Sequence, residues 1–168
     1  MDERALAERL IGYDTSEEEE LAAAAGFIKG WLGSHGVDVA ESHHNGLPVL
    51  IAEVGATAAD APAIVFHAHI DVVPAHAEQF QPRVEGDRLI GRGAYDMKGA
   101  LAAMLCAVVD VAAQDRVRVR FVCVPDEESD DVDDRSLDAL IASKAIHGDF
   151  AITGEPTDMH IGVQAKGV

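Results

Sequence analysis

Cysteine is nearly absent from this sequence: Cys106 and Cys123 are the only two among 168 residues. Two thiols set in apolar runs make no disulfide framework and read as buried thiols of a reducing compartment. Lysine is scarce as well, confined to positions 29, 98, 144 and 166. Thirteen Lys and Arg stand against 30 Asp and Glu, a formal net charge of −17 at pH 7. So acidic a chain repels polyanions at long range, which argues against nucleic acid and anionic membranes as partners. No basic stripe offsets this; Arg116, Arg118 and Arg120 alternate along a strand-like run and are expected on its solvent face. No apolar run reaches the roughly 18–20 residues that span a bilayer. The opening Met1-Asp2-Glu3-Arg4 has neither a basic n-region nor an apolar h-region, so no secretory signal is expected and a cytoplasmic location is.

What the chain does have is apolar content, 48% of residues, enough for one cored domain. The first 35 residues read as helical, with Leu21, Ala24, Ala25, Ile28, Trp31 and Leu32 on one face and Gly36 as the stop. Thr15 followed by Glu18 predicts a capping box. Strands are expected over 37–40 and 49–54, joined through Asn45-Gly46 as a hairpin. Further strands are expected over 63–68, 88–92, 117–124 and 150–153, with another starting over 159–163. Helices are expected over 97–113 and 134–145. Strands alternating with helices predict an α/β fold with a mixed, mostly parallel sheet and helices on both faces.

Four clusters of ligand-type residues follow the expected strands, the edge at which open α/β sheets bind ligands. His69-Ile70-Asp71 offers an imidazole, a good zinc ligand, with a carboxylate able to reach its other ring nitrogen. Taken alone, it is also a plain strand-end histidine and turn aspartate. Asp96, within Gly91-Arg92-Gly93-Ala94-Tyr95-Asp96-Met97-Lys98-Gly99, stands where loop becomes helix. It is an N-cap or a carboxylate shared between two metals. Asp126-Glu127-Glu128 puts three carboxylates at the end of a buried strand, costly without cations. Two adjacent glutamates can divide metal binding from proton transfer, although Asp130, Asp131, Asp133 and Asp134 also suit a plain acidic loop. Glu155 is stiffened by Pro156. An order of His, Asp, Glu and Glu along one chain suits divalent ions, and the histidine favours zinc.

These stretches, HIDVVP at 69–74, GRGAYDMKGA at 91–100, PDEE at 125–128 and GEPT at 154–157, resemble a known family in kind, order and spacing. It is the di-zinc amidohydrolase and exopeptidase family that includes acetylornithine deacetylase, succinyl-diaminopimelate desuccinylase, aminoacylase and glutamate carboxypeptidase. The resemblance runs from Leu10 onward. It implies that His69 binds one zinc and Asp71 orients it, and that Asp96 bridges two zincs. Glu128 would bind the second zinc, Glu155 would complete the first, and Glu127 would act as general base on the attacking water. Two Zn2+ per complete site are implied, with Co2+ or Mn2+ as alternative ions.

The resemblance further implies that residues 1–168 are the N-terminal portion of a metallohydrolase catalytic domain. The lid or dimerisation domain and the C-terminal return, with its second-zinc histidine, would be missing. The parent would be a homodimer cleaving an amide in an N-acylated amino acid or small peptide, and this chain alone would turn over little. Ser129-Asp130-Asp131 departs from the small residue and glycine usual after the Glu-Glu pair. His35, His43, His44, His67, His76, His147 and His160 match no family ligand, and His67 is expected nearest the site. The alternative reading is a non-catalytic metal-binding or interaction module built on the same half-fold; a purely structural acidic domain is the third.

Overall fold

The computed structural model describes residues 2–129, 134–158 and 160–161. Two helices open the chain, α1 (Glu3–Ile11) and α2 (Glu18–Ser34). The hairpin β1 (Val39–His44) and β2 (Leu47–Gly55) follows, then β3 (Ala63–His69). A small ribbon, β4 (Arg83–Glu85) and β5 (Arg88–Ile90), precedes α3 (Gly99–Val111). The chain continues through β6 (Arg118–Val124), α4 (Ser136–Ala142) and β7 (Phe150–Thr153).

The main sheet runs β1-β2-β6-β3-β7. Among the described residues its pairings divide evenly: β1 with β2 and β2 with β6 are antiparallel, β6 with β3 and β3 with β7 parallel. The sheet is therefore mixed, but its parallel share is half rather than most, because the hairpin inserts β2 against β6. Asn45 and Gly46 both take positive φ (51° and 85°), the mirror-image turn whose twist suits a two-residue hairpin.

Alternation on the strands sorts the core into two layers. On one face Leu50, Ala52, Phe121 and Cys123 pack with Leu6, Leu10, Ile28, Leu32, Leu101 and Leu105 from α1, α2 and α3. On the other, Val65, Val122, Val124 and Ile146 pack with Leu137 and Leu140 of α4. Helices thus lie on both faces. Cys123 is buried in the first layer, Cys106 half-buried, and both are free thiols.

Three local expectations change. The capping box does not form: α2 begins at Glu18 after Glu17, with no side-chain cap, and the Thr15 hydroxyl donates instead to Ile70 O at 2.7 Å. Arg118 and Arg120 are not a solvated face. Both guanidiniums are largely covered and pair with Glu53 across the β2–β6 ladder, at 3.3 and 2.6 Å. The helix expected from Met97 starts two residues later, at Gly99, because Asp96 and Met97 have non-helical backbone angles. The strand start expected over 159–163, and the loop after Glu128 where the family pattern is broken, fall largely outside the described residues.

Candidate metal centre

The site is built around one imidazole. His69, the last residue of β3, has a fully buried side chain. Its Nε2 lies 3.0 Å from Asp96 Oδ1 and 3.9 Å from Glu155 Oε1. Its Nδ1 lies 3.0 Å from the main-chain carbonyl of Asp71 and 3.4 Å from Asp71 Oδ1. Nδ1 is thus held by the backbone of Asp71, with the carboxylate a longer second neighbour. The two interactions together favour a proton on Nδ1 and leave Nε2 turned toward the acids.

The acids arrive from the ends of neighbouring parallel strands. Glu127 and Glu128 follow β6, Glu155 follows β7, and Asp96 enters from the turn before α3. Two sets each bring their ligand atoms within 4.8 Å of one another: His69, Asp96 and Glu155, and His69, Glu127 and Glu128. Among the described residues neither set holds a second histidine. Asp96 caps nothing; α3 begins beyond Lys98 with no side-chain cap. Asp71 Oδ2 accepts the Glu128 N–H at 2.7 Å, tying the first cluster to the third, while Oδ1 is buried without a hydrogen bond.

Asp126 separates from its two neighbours. It turns away and accepts both the N–H and the hydroxyl of Ser136, at 2.7 and 2.6 Å, at the start of α4. That leaves Glu127 and Glu128 facing the imidazole, with Glu127 3.4 Å from the Arg135 guanidinium.

The charge balance is that of a cation site. Burial, and then the crowding of Asp96, Glu127 and Asp71, pushes the Glu128 carboxyl above its ordinary range, with His69 partly opposing. Glu155 is raised by burial and by Asp96, Glu127 and Glu128, again against His69. Burial pulls the His69 imidazole down, yet Asp71, Asp96 and Glu155 outweigh it and hold the pKa at about 9. A proton on His69 stands in for part of the positive charge that these carboxylates call for. One imidazole nitrogen and four carboxylates form a hard-to-borderline donor set that fits divalent ions.

Residues 65–168, more than half of the chain, match the peptidase family M20/M25/M40. The chain belongs to that family. Among curated M20 relatives, the succinyl-diaminopimelate desuccinylase of Halorhodospira halophila is 35% identical over 156 residues, covering 87% of this chain and 38% of the relative. That of Erythrobacter litoralis is 38% identical over 100 residues, covering 56% of this chain and 26% of the relative. The chain therefore spans well under half the length of these enzymes.

Two solved structures are similar in fold. The metallo-carboxypeptidase Sso-CP2 of Sulfolobus solfataricus gives a TM-score of 0.75 at 24% identity, over 92% of this chain and 37% of that one. Human carnosine dipeptidase 1 gives 0.74 at 22% identity, over 90% and 37%.

Three side chains near the M20 site escaped the sequence reading of function. Lys98 is wholly buried beneath it. Its signal was there: position 98 shares a helical face with the apolar Leu101, Ala102 and Leu105. Thr15 gave no such signal, because its partner Ile70 is 55 residues away. Arg135 gave no signal either, falling at the start of the helix expected over 134–145.

His67, expected near the site, lines a groove of about 960 Å³ between α4 and β7 that opens beside Glu127 and Glu155. Its Nδ1 lies 3.0 Å from Thr153 Oγ1. Burial and the neighbouring His69 lower its pKa to about 4, so it stays neutral. Among the described residues no helix is long and apolar enough to cross a membrane.

Proposed function

We propose that residues 1–168 are the N-terminal, ligand-bearing part of the catalytic domain of a zinc-dependent hydrolase. The enzyme cleaves the amide bond of an N-acylated amino acid or small peptide. The observation that carries this reading is the convergence of Asp96, Glu127, Glu128 and Glu155 on the single imidazole of His69. In this reading His69, Asp96 and Glu155 hold one Zn2+, and Asp96 is shared with a second held by Glu128; Co2+ and Mn2+ are the alternative ions. A divalent pair in such a site supplies Lewis acidity, acidifying water and polarising the scissile carbonyl.

The chain's own residues do the rest. Asp71 fixes the His69 ring through Nδ1, so that Nε2 faces the ion. Glu127 takes a proton from the attacking water and returns it to the leaving amine, the two halves of general base and general acid catalysis. Arg135 holds the Glu127 carboxylate in place between those steps. The groove beside Glu127 suits one arm of a small substrate. Desuccinylase names among the relatives support an N-acyl amino acid, and the dipeptidase and carboxypeptidase names support a small peptide. Two free thiols suit a reducing, cytoplasmic setting, and the full-length parent is proposed to be a homodimer. A binding-only module is the second reading, favoured by the single imidazole that the described residues bring to the site.

Zinc titration of the purified, dialysed chain tests the proposal. One Zn2+ should bind more tightly than the second. Glu155→Gln should weaken that first site strongly and Glu127→Gln only slightly. Turnover of an N-succinyl amino acid by the 168-residue chain alone should be very low. Absence of zinc binding would overturn the reading.

A further inference from the structure

We propose that the turn between α1 and α2 is a positioning strut for the metal centre, with Thr15 and Lys98 as its positioning residues. The proposal rests on the metal-centre reading and extends it to a segment outside the family-matched residues 65–168.

Two hydrogen bonds carry the inference, one buried and one part-buried. Thr15, only 1% exposed, donates its hydroxyl to Ile70 O at 2.7 Å. Ile70 lies between His69 and Asp71, and its own N–H donates to Val124 O at 2.9 Å. The peptide that spaces the ligand from its orienting aspartate is thus pinned from both sides, by β6 and by Thr15. Lys98, with no exposed surface, donates Nζ to Tyr13 O at 2.7 Å. It follows Asp96 by two residues, and its N–H donates to Gly93 O at 2.7 Å. The two loops that bring His69 and Asp96 together are therefore fastened to the same three residues, Tyr13 to Thr15.

The strut is itself held. Tyr13 N–H donates to Leu10 O and Glu17 N–H to Asp14 O, at 3.2 and 3.0 Å. The Tyr13 ring packs 6.0 Å from Phe27, with the Arg9 guanidinium 4.9 Å above it. Gly93, at φ +76°, leaves room for the lysine stem: a Cβ there would stand 3.0 Å from Lys98 Cδ and 2.8 Å from Val72 Cγ1.

A buried ammonium is costly, and an apolar side chain of the same length would fill this space without that cost. The Tyr13 carbonyl, 2.7 Å from Nζ, is the partner that offsets this cost, so the strut is where the buried ammonium is satisfied. Groups that orient metal ligands in this way set affinity without touching the ion.

The test uses the whole 168-residue chain with zinc and cobalt ions as probes. Thr15→Val removes the donor and keeps the shape, Thr15→Ser keeps the donor, and Lys98→Met keeps the stem without its charge. Zinc affinity is read by competition titration, the ligand field by the visible spectrum of the Co2+ form, and folding by near-ultraviolet circular dichroism. Thr15→Val and Lys98→Met should each fold, weaken zinc binding by about 10–100-fold and change the cobalt spectrum. Thr15→Ser should restore both readouts. Folded variants with unchanged affinity and spectrum would overturn the strut while leaving the metal centre standing. So would equal losses in Thr15→Val and Thr15→Ser, or variants that fail to fold, since a positioning role requires an intact fold with a weakened site. Failure of the unsubstituted chain to bind zinc would overturn both readings.

Discussion

His69 and Asp96, 27 residues apart in sequence, meet at 3.0 Å between Nε2 and Oδ1. This pairing occupies the imidazole nitrogen that faces the acids, and in the proposed metal centre an incoming ion would separate the two and take both. Asp96→Ala should therefore cost more than the roughly 10–100-fold in zinc affinity that loss of an orienting partner costs. Calorimetric titration beside the unsubstituted chain measures it. Retention of affinity within tenfold would show that Asp96 is no ligand.

The same geometry makes metal uptake proton-linked. His69 is held at about 9, so in the metal-free chain it carries a proton at pH 7. Zinc must displace that proton, so affinity should climb as pH rises from 6.5 and level off near 9. Calorimetry in buffers of different ionisation enthalpy should report about one proton released per first zinc at pH 7. Stability runs the other way. Because the folded pKa lies above the unfolded 6.5, the protonated imidazole's contribution is full below 6.5 and is lost as pH rises through 9. The melting temperature of the metal-free chain should carry a falling component across that window.

Asp126 differs from Glu127 and Glu128 despite its adjacency. It satisfies the Ser136 N–H and hydroxyl, so Asp126→Ala strands a buried donor at about 1–3 kcal/mol. Denaturant unfolding should show that loss, while the zinc affinity of the folded fraction changes only a few-fold. A large loss of affinity with little loss of stability would reverse the assignment.

Gly93 tests the packing beneath the site. Its positive φ alone costs a non-glycine residue about 1–2 kcal/mol. A methyl there also meets Val72 Cγ1 at 2.8 Å and the Lys98 stem. Gly93→Ala should lower stability by more than that backbone penalty and also weaken zinc binding, since the loop ending in Asp96 must shift. Melting curves with and without zinc read both effects; unchanged affinity would place the strain away from the site.

β7 is an edge of the sheet among the described residues, with Phe150 65% and Ile152 41% exposed. Exposed apolar edges pair with other chains. The isolated chain should self-associate with rising concentration in sedimentation velocity, and Ile152→Lys should shift it toward monomer. A monomeric unsubstituted chain at high concentration would refute this.

Short-range pattern was enough for much of the molecule. Asn45-Gly46 specified its hairpin because both positions tolerate positive φ. The apolar spacing of α2 marked the face it buries, and strands ended where the sequence turned to His69, Glu127 and Glu155. Those candidate ligand types, at or just past strand ends, were legible because parallel strands deliver their ends to one edge.

Long-range partners were not legible. A Thr-x-x-Glu pattern predicts a cap, but a carbonyl 55 residues away took the Thr15 hydroxyl first. Arg118 and Arg120 look solvated until β2 brings Glu53 alongside. Asp126 and Glu127 are equivalent carboxylates in sequence, and only the placement of α4 sends one to Ser136 and leaves the other at the imidazole. The sequence by itself determined the candidate ligand types and the sheet edge that gathers them, since both follow from residue type and local periodicity. The tertiary structure alone decided which acids face His69 and what supports them, because those choices depend on which buried polar groups find partners across the fold.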